Sequence, residues 1–455
     1  MIHINKCDHP TASLLIVLFL FTSIISFAQN TGVVLDGKSK KPLMGVNIYS
    51  NIVGTLAVTN SGGEYTIRNL SRMSSNDTLF FSYIGYVTKK IPVNELKIMK
   101  FAVSLYEDIQ LLKEVVIVSE KPQLQREIKF KKLASLKEGL YSFGSVLIGG
   151  KICIIGGDTS FGEDPVLKSL NEYGDDFMMH IKPAISWQEF SGHLYVYDLK
   201  LNKWVNSNLK FEKRAYNSLH YFHGKIYVLG GKSLSKSGLT EYLDDKLEIY
   251  DIKKNSILVD HNNPHQAINF ASFVYNDNLI VMGGSIKMKA NGEKEYSDKV
   301  HFCNLKTGYW YESEDMPQGM ETKGILTGNT IYLFGGFRNK PLKMIQTYNV
   351  ITGKWNEEGV LPFEVERPGI AMNKNLIYIF ENGKIQTYNI ETKEVKVYLI
   401  DLALKSAELF YSDDLLYLLG GKVTDEYSVS PSSDLYSIDI HEFRKTDTYS
   451  VEDVK

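Results

Sequence analysis

The chain has 455 residues, with 51 Lys and Arg against 53 Asp and Glu, so its formal net charge is −2. This balance excludes a protein that binds nucleic acid mainly through excess positive charge, and a hydrophobic content of 44% excludes wholesale disorder. Aromatic residues make up 12%, and 35 glycines stand against 12 prolines, a composition that favours β-structure.

The first 28 residues are predicted to be a cleaved signal peptide. An apolar run begins at Leu14 and extends to Phe27, and the small residues Ser26 and Ala28 occupy the −3 and −1 positions of a cleavage site. The run is shorter than the roughly 20 residues that a membrane-spanning helix needs, although an uncleaved anchor is the alternative. We therefore expect an exported protein, periplasmic or associated with the outer surface, whose mature chain has no membrane-spanning segment.

The mature chain keeps two cysteines, Cys153 and Cys303, and each lies within an apolar, strand-like pattern. Such placement is typical of buried free thiols that pack as small hydrophobic side chains. A disulfide between them is the alternative, since exported proteins form disulfides in oxidising compartments.

Residues 30–119 are predicted to form a small β-sandwich. Short runs of alternating polar and apolar residues are separated by turn sequences rich in Gly, Asn, Asp and Ser, a pattern typical of such folds. The runs are Gly32–Asp36, Gly45–Ser50, Thr55–Thr59, Glu64–Ile67, Thr78–Tyr83 and Phe101–Leu105. A Pro- and charge-containing stretch at 120–126 is predicted to be a linker.

Several segments of this region resemble the carboxypeptidase regulatory-like domain. The matching segments are Gly32–Asp36, Pro42–Ile48, Thr59–Tyr65, Phe81–Tyr86 and Leu112–Val118. The resemblance implies a non-catalytic sandwich, of a kind that often precedes outer-membrane TonB-dependent receptors. Nothing further along the chain resembles a receptor plug or barrel, so the resemblance does not imply transport by this chain.

Residues 127–455 contain an internal repeat. An apolar strand that ends in two glycines recurs at Gly156-Gly157, Gly230-Gly231, Gly283-Gly284, Gly335-Gly336 and Gly420-Gly421, with a degenerate copy at Glu381-Asn382. A second strand with a Tyr-Asp-like pair follows each copy, and Trp204, Trp310 and Trp355 follow three of them. Repeats of this length indicate supersecondary units that bury their faces against one another.

This pattern resembles the kelch repeat, and its six copies imply a six-bladed β-propeller. The fold class expected for the whole chain is therefore all-β, a small β-sandwich followed by a kelch-type propeller. Ring closure needs a strand from one end of the domain to complete the last blade. We expect residues near Ile128–Leu133 to do so, and the competing interpretation assigns Thr446–Val451.

Candidate binding residues lie in the loops, because the repeated residues are expected to be architectural. The longest departure from the repeat is an insertion at 158–192, which contains Trp187 and Glu189. Stretches that lead into innermost strands are expected at the channel mouth. Their charged residues are Arg214, Lys323, Arg367, Lys405, Glu366 and Glu408. Arginines in such a place suit the bidentate capture of a carboxylate.

Two classes of function remain open at this stage. The first is an exported, non-catalytic binding protein of the cell envelope, whose propeller loops bind a protein or glycan, or which assists an outer-membrane receptor. The second is a sugar-processing isomerase, since some exported kelch propellers that are similar in architecture are sialic acid mutarotases. In that case Glu366 and Glu408 are the candidate catalytic residues. No cofactor or metal motif is present in the sequence, and we expect neither, nor a nucleic-acid partner.

Overall fold

The computed structural model describes residues 30–68, 70, 73–108, 124–183, 186–238, 240–289 and 291–453. The chain divides between residues 118 and 119 into two compact units. The predicted signal peptide at 1–28 and most of the predicted linker at 120–126 lie outside the described residues, so the predicted domain limits of 30–119 and 127–455 stay predictions.

The first unit is a small sandwich of two sheets with strand orders β4-β1-β7 and β3-β2-β5-β6. Its elements are β1 (Asn30–Asp36), β2 (Asn47–Ser50), β3 (Gly54–Val58), β4 (Glu64–Ile67), β5 (Thr78–Ser82), β6 (Lys89–Pro92), helix α1 (Val93–Ile98) and β7 (Ala102–Leu105). Alternate side chains point into one core, where Val34, Ile48 and Phe81 are fully buried. All six predicted strands are present. The pattern missed β6, because Ile91 is its one buried residue.

The second unit is a six-bladed propeller. Blade one contains β9 (Gly144–Ile148), β10 (Lys151–Ile155), β12 (His193–Asp198) and β13 (Lys203–Lys210). Blade two contains β14 (Ser218–Phe222), β15 (Lys225–Leu229), β18 (Leu247–Asp251) and β19 (Ser256–Asp260). Blade three contains β20 (Ala271–Tyr275), β21 (Asn278–Met282), β24 (Val300–Asn304) and β25 (Trp310–Glu312). Within each blade, neighbouring strands are antiparallel.

The remaining blades follow the same order from the centre outward. Blade four contains β26 (Glu321–Thr327), β27 (Thr330–Phe337), β28 (Pro341–Asn349) and β29 (Trp355–Val365). Blade five contains β30 (Gly369–Asn373), β31 (Leu376–Glu381), β32 (Lys384–Asn389) and β33 (Glu394–Leu399). Blade six contains β34 (Glu408–Ser412), β35 (Leu415–Leu419) and β38 (Leu435–Asp439), and its outer strand is β8 (Lys131–Lys132).

The outer strand of blade six confirms the predicted ring closure. Lys131 pairs with Ser437 and Lys132 with Tyr436, so the start of the domain completes its last blade. The competing interpretation is wrong. The C-terminal strand β39 (Ser450–Asp453) follows a short helix, α3 (Glu442–Lys445), and adds a fifth strand to blade five beside β33.

Six apolar clusters hold the ring together, and each lies between two neighbouring blades. The cluster between blades six and one contains Leu419, Ile152 and Tyr195, and therefore joins the two ends of the repeat array. Burial of this kind between adjacent units is the main stabilising term of a repeat architecture. Cys153 and Cys303 lie in two of these clusters as buried free thiols, which confirms that prediction.

Extra chain beyond the blades is concentrated at the face where the innermost strands begin. Blade one carries β11 (Gly162–Glu163), helix α2 (Pro165–Tyr173) and a 3₁₀ helix (Gly174–Met179). Hairpins extend three further blades, formed by β16 (Lys232–Leu234) with β17 (Glu241–Leu243), β22 (Ser285–Met288) with β23 (Lys294–Tyr296), and β36 (Lys422–Thr424) with β37 (Ser428–Pro431). Among the described residues, no helix is long and apolar enough to cross a membrane.

Candidate functional site

The loops that lead into the six innermost strands surround one cavity of about 140 Å³. Each blade contributes a residue that lies within two positions of the start of its innermost strand. These residues are Ser142, Tyr216, Asn269, Thr322, Arg367 and Ser406. The cavity therefore lies at the centre of the propeller, and we call it the channel mouth. Its lining also includes Lys323, Glu366 and Glu408, so the structure brings together, with Arg367, four of the eight residues that the sequence singled out.

An ion pair crosses the channel mouth. Lys323 Nζ of blade four lies 2.6 Å from Glu408 Oε1 of blade six, and both side chains are about a quarter exposed, at 30% and 21%. Because they stand on strands from different blades, their sequence separation gave no sign of the pairing. A partly exposed pair can be opened by a ligand that offers its own charge or hydrogen-bonding groups.

Arg367 reaches into the channel mouth from blade five. Its Nη2 lies 3.1 Å from Glu366 Oε1 and 3.3 Å from Glu321 Oε2. The guanidinium also lies 5.7 Å from the ring centre of Tyr216, which comes from blade two on the far side. Its Nε is buried and makes no hydrogen bond with any described residue. Arg367 is therefore held in place by two carboxylates at its Nη2.

Glu321 was not singled out from the sequence, yet it anchors this arginine. Its carboxylate is completely buried and accepts hydrogen bonds from Asn269 Nδ2 at 2.9 Å, Ser285 Oγ at 2.7 Å and Lys294 Nζ at 2.6 Å. A buried charge needs this kind of full pairing to be tolerated. A Glu that begins an innermost strand, where four of the other five blades carry Gly, Ser or Ala, was the available signal.

The degenerate copy of the paired glycines has a local role. At Gly231 a side chain is excluded, because φ is +86° and a Cβ would lie 2.3 Å from the carbonyl oxygen of Ala215. In blade five the equivalent turn carries Glu381, whose carboxylate accepts the backbone N–H groups of Glu366 at 2.6 Å and Arg367 at 3.1 Å. Burial raises the pKa of Glu381, although these two donors counteract it. Glu381 thus fixes the loop that presents Arg367.

Two lysines of blade six stand beside the channel mouth without a carboxylate partner in the described chain. Lys405 and Lys422 face each other across an isolated antiparallel bridge. Lys422 Nζ lies 5.2 Å from the ring centre of Tyr141. Burial, together with the nearby charge of Arg367, lowers the pKa of Lys422. Glu366 and Asp158 lie near enough to act on Lys422, but no carboxylate of the described chain forms an ion pair with either lysine.

A neutral polar cluster lies at the channel mouth, where Ser218 and Ser272 line the cavity. Ser218 and Ser272 are joined at 2.6 Å between their hydroxyl oxygens, and His220 Nε2 lies 2.8 Å from Ser272 Oγ. Burial lowers the pKa of His220 to about 4, so its imidazole is neutral at pH 7. These groups can donate and accept hydrogen bonds without adding charge.

The structure corrects the prediction for Arg214. Its side chain is 0% exposed, and its guanidinium lies 2.5 Å from Glu248 Oε2 and 3.2 Å from Asp244 Oδ2, both also buried. It does not line the channel mouth. Arg214 is therefore part of the scaffold between strands, because a guanidinium enclosed by two carboxylates cannot meet a ligand.

Trp187 and Glu189 also lie outside the cavity lining. Trp187 stacks on Phe161 at 4.9 Å within the insertion and donates its indole N–H to the carbonyl oxygen of Thr159 at 3.0 Å. Glu189 forms an exposed ion pair with Lys213 at 2.8 Å. Both side chains thus organise the insertion and its margin, and β11 joins the insertion to β37 of blade six.

Comparison with known proteins agrees with the folds of both units. Residues 30–117 match the family model of the CarboxypepD_reg-like domain. Kelch-like protein 40a of Danio rerio is 26% identical over 30% of this chain and 23% of its own length, and Kelch-like protein 38 of Homo sapiens is 23% identical over 44% and 36%. The chain thus spans about a quarter to a third of the length of these curated relatives.

A solved structure of YjhT superposes with a TM-score of 0.50 at 13% identity, covering 66% of this chain and 96% of that one. At this identity the likeness concerns the fold alone. The six ordered repeats and the six blades, of which five have four strands and blade five has a fifth, agree with these matches. The second unit therefore has the fold of a kelch-type β-propeller, and residues 30–117 match the CarboxypepD_reg-like domain.

Proposed function

We propose that this protein is an exported, non-catalytic binding protein of a bacterial cell envelope that binds an acidic glycan at the channel mouth. The observation that carries the proposal is the cluster of three basic side chains, Lys405, Lys422 and Arg367, in which neither lysine forms an ion pair with a carboxylate of the described chain. Partly buried cations without partners are costly, and an anionic ligand would relieve that cost.

The neutral groups at the channel mouth suit a sugar. Hydroxyl and amide side chains from several blades, including Ser142, Asn269 and Ser406, line the cavity together with the aromatic Tyr216. Sites for small polar ligands combine a few convergent hydrogen-bonding groups with an aromatic or apolar wall. A carboxylate on Arg367 and ring hydroxyls on these side chains would use both sets of groups.

The envelope location rests on the signal-peptide pattern and on the N-terminal domain, whose family is common ahead of outer-membrane receptors. Cell fractionation with an antibody against the propeller tests it. Periplasmic or outer-membrane recovery supports the proposal, and recovery with the cytoplasm contradicts it. Co-purification with a receptor would support the accessory role that the sequence left open.

A glycan array of acidic and neutral sugars tests the binding function, followed by calorimetric titration of the best acidic ligand. Arg367→Ala and Lys405→Ala should each weaken binding by about 1.5–3 kcal/mol, the usual range for hydrogen bonds to charged groups. Lys213→Ala removes an exposed lysine at the same face and is the matched control. Neutral glycans that bind as tightly as acidic ones would overturn the proposal.

A mutarotase-like isomerase is the second candidate, because Glu366 and the Lys323–Glu408 pair share one cavity. Opening of a sugar ring needs one group to take the proton of the anomeric hydroxyl and another to protonate the ring oxygen. Exchange spectroscopy by NMR on the two anomers of a bound acidic sugar separates the two functions. Accelerated exchange that Glu366→Gln abolishes would favour the enzyme.

A further inference from the structure

Blade five leaves a gap in the ring of extra loops and hairpins around the channel mouth. Blade one carries the insertion, blades two, three and six carry extra hairpins, and blade four extends its middle strands to Phe337 and Pro341. Blade five instead turns directly, with Glu381 paired to Lys384. Within the described residues, blade five is therefore the blade without extra chain at this face.

A second cavity, of about 280 Å³, lies in this gap. We call it the blade-five groove. It shares Glu366 with the channel mouth, and its Lys405 is the neighbour of Ser406, which lines the channel mouth. The loop before blade five thus places Glu366 at both cavities, and the loop before blade six places Lys405 at the groove and Ser406 at the channel mouth. The groove is a lateral continuation of the channel mouth and not a separate pocket.

We propose that the blade-five groove binds the further residues of an acidic glycan chain whose first residue occupies the channel mouth. This inference rests on the proposed function and specifies its ligand as a linear chain of uronic acid type. Lys405 stands at the junction of the two cavities, and Lys384 stands further along the groove, with its Nζ 5.0 Å from the ring centre of Phe363. The lining also contains Glu364, Glu366 and Glu381, but Glu366 is paired with Arg367 and Glu381 accepts two backbone N–H groups. The two lysines therefore remain as cations without an ion pair that a chain with several carboxylates could contact.

The lining of the groove favours a sugar chain over a peptide. Seven of its ten lining residues are polar or charged, so it offers no apolar pocket for a side-chain anchor. The outer strand of blade five, β33, is already paired with β39, so a peptide cannot extend the sheet of this blade. Gln386 is buried and bonds both backbone groups of Phe363, at 3.0 and 2.9 Å, which keeps the groove floor rigid. A preformed polar groove suits a hydroxyl-rich chain.

Titration with monomers and trimers of galacturonic, glucuronic and mannuronic acid tests the proposal on the full mature chain. At least one trimer should bind about tenfold or more tightly than its monomer. Lys384→Ala should remove most of this gain and leave monomer affinity unchanged. Lys396→Ala, on strand β33 of the same blade and paired with Glu394, is the matched control and should change neither affinity.

The outcomes separate this inference from the function on which it rests. Monomer binding that depends on Arg367, with no gain in affinity for any trimer, overturns the proposal that the groove binds further sugar residues and leaves the proposed function intact. A gain that Lys384→Ala does not reduce also overturns it. A tri-glutamate peptide that binds as tightly as the best trimer overturns the assignment to a glycan. No binding that depends on Arg367 overturns the proposed function and this inference together.

Discussion

Replacement of Arg214 by Met tests whether this arginine is scaffold, as the structure indicates. The guanidinium and the carboxylates of Asp244 and Glu248 are almost completely buried, with side-chain exposures of 0%, 3% and 4%. Arg214→Met leaves two carboxylates enclosed without a cation. Removal of one partner from a buried ionic cluster costs about 3–5 kcal/mol. At a few degrees per kcal/mol for a chain of this size, the thermal midpoint of the propeller should fall by roughly 5–15 °C.

The assay is thermal and urea unfolding of the mature chain, with titration of an acidic glycan alongside. The double variant Arg214→Met with Glu248→Gln should recover part of the loss, because one of the two stranded charges is gone. Arg367→Ala is the control, since Glu321 keeps three other donors and stability should change little. A wild-type midpoint for Arg214→Met, with ligand binding lost, would refute the reasoning and return Arg214 to the binding site.

Three further predictions follow from the same structure. Glu381→Ala should free the loop before Arg367 and weaken binding of an acidic glycan severalfold by titration, and an unchanged affinity would show that Glu381 does not position Arg367. Deletion of residues 124–135 should expose the edge of blade six, lower the thermal midpoint and cause aggregation. Deletion of residues 450–455 removes only the fifth strand of blade five and should lower the midpoint less. Equal effects of the two deletions would contradict ring closure by the start of the domain. Burial lowers the pKa of His265 from 6.5 to about 4, so its contribution to stability is complete above pH 6.5 and is lost as pH falls towards 4. The free energy of unfolding in urea should therefore fall less between pH 7 and pH 5 for His265→Gln than for the wild type. An equal fall in both proteins would contradict the assignment.

Much of the fold was predictable because it depends on local patterns. Alternation of apolar side chains marks a strand with one buried face, and a strand that ends in two glycines marks each blade. The closing strand near Ile128 was also predictable, since an incomplete last blade needs a partner from the other end. The weak strand β6 escaped prediction because Ile91 alone carries its inward pattern.

Which charges are available to a ligand was decided only by the tertiary structure. Arg214 and Arg367 precede an innermost strand by four and by two residues, and these positions alone do not show which guanidinium is enclosed by carboxylates. Arg214 meets Glu248, 34 residues away, and is enclosed, whereas Arg367 meets Glu321, 46 residues away, and remains at the channel mouth. Coulomb pairing depends on distance in space and on burial, and a propeller brings distant loops together at one centre. The sequence by itself therefore determined the blades and the cysteine state, while the long-range pairing decided which cations can serve a site.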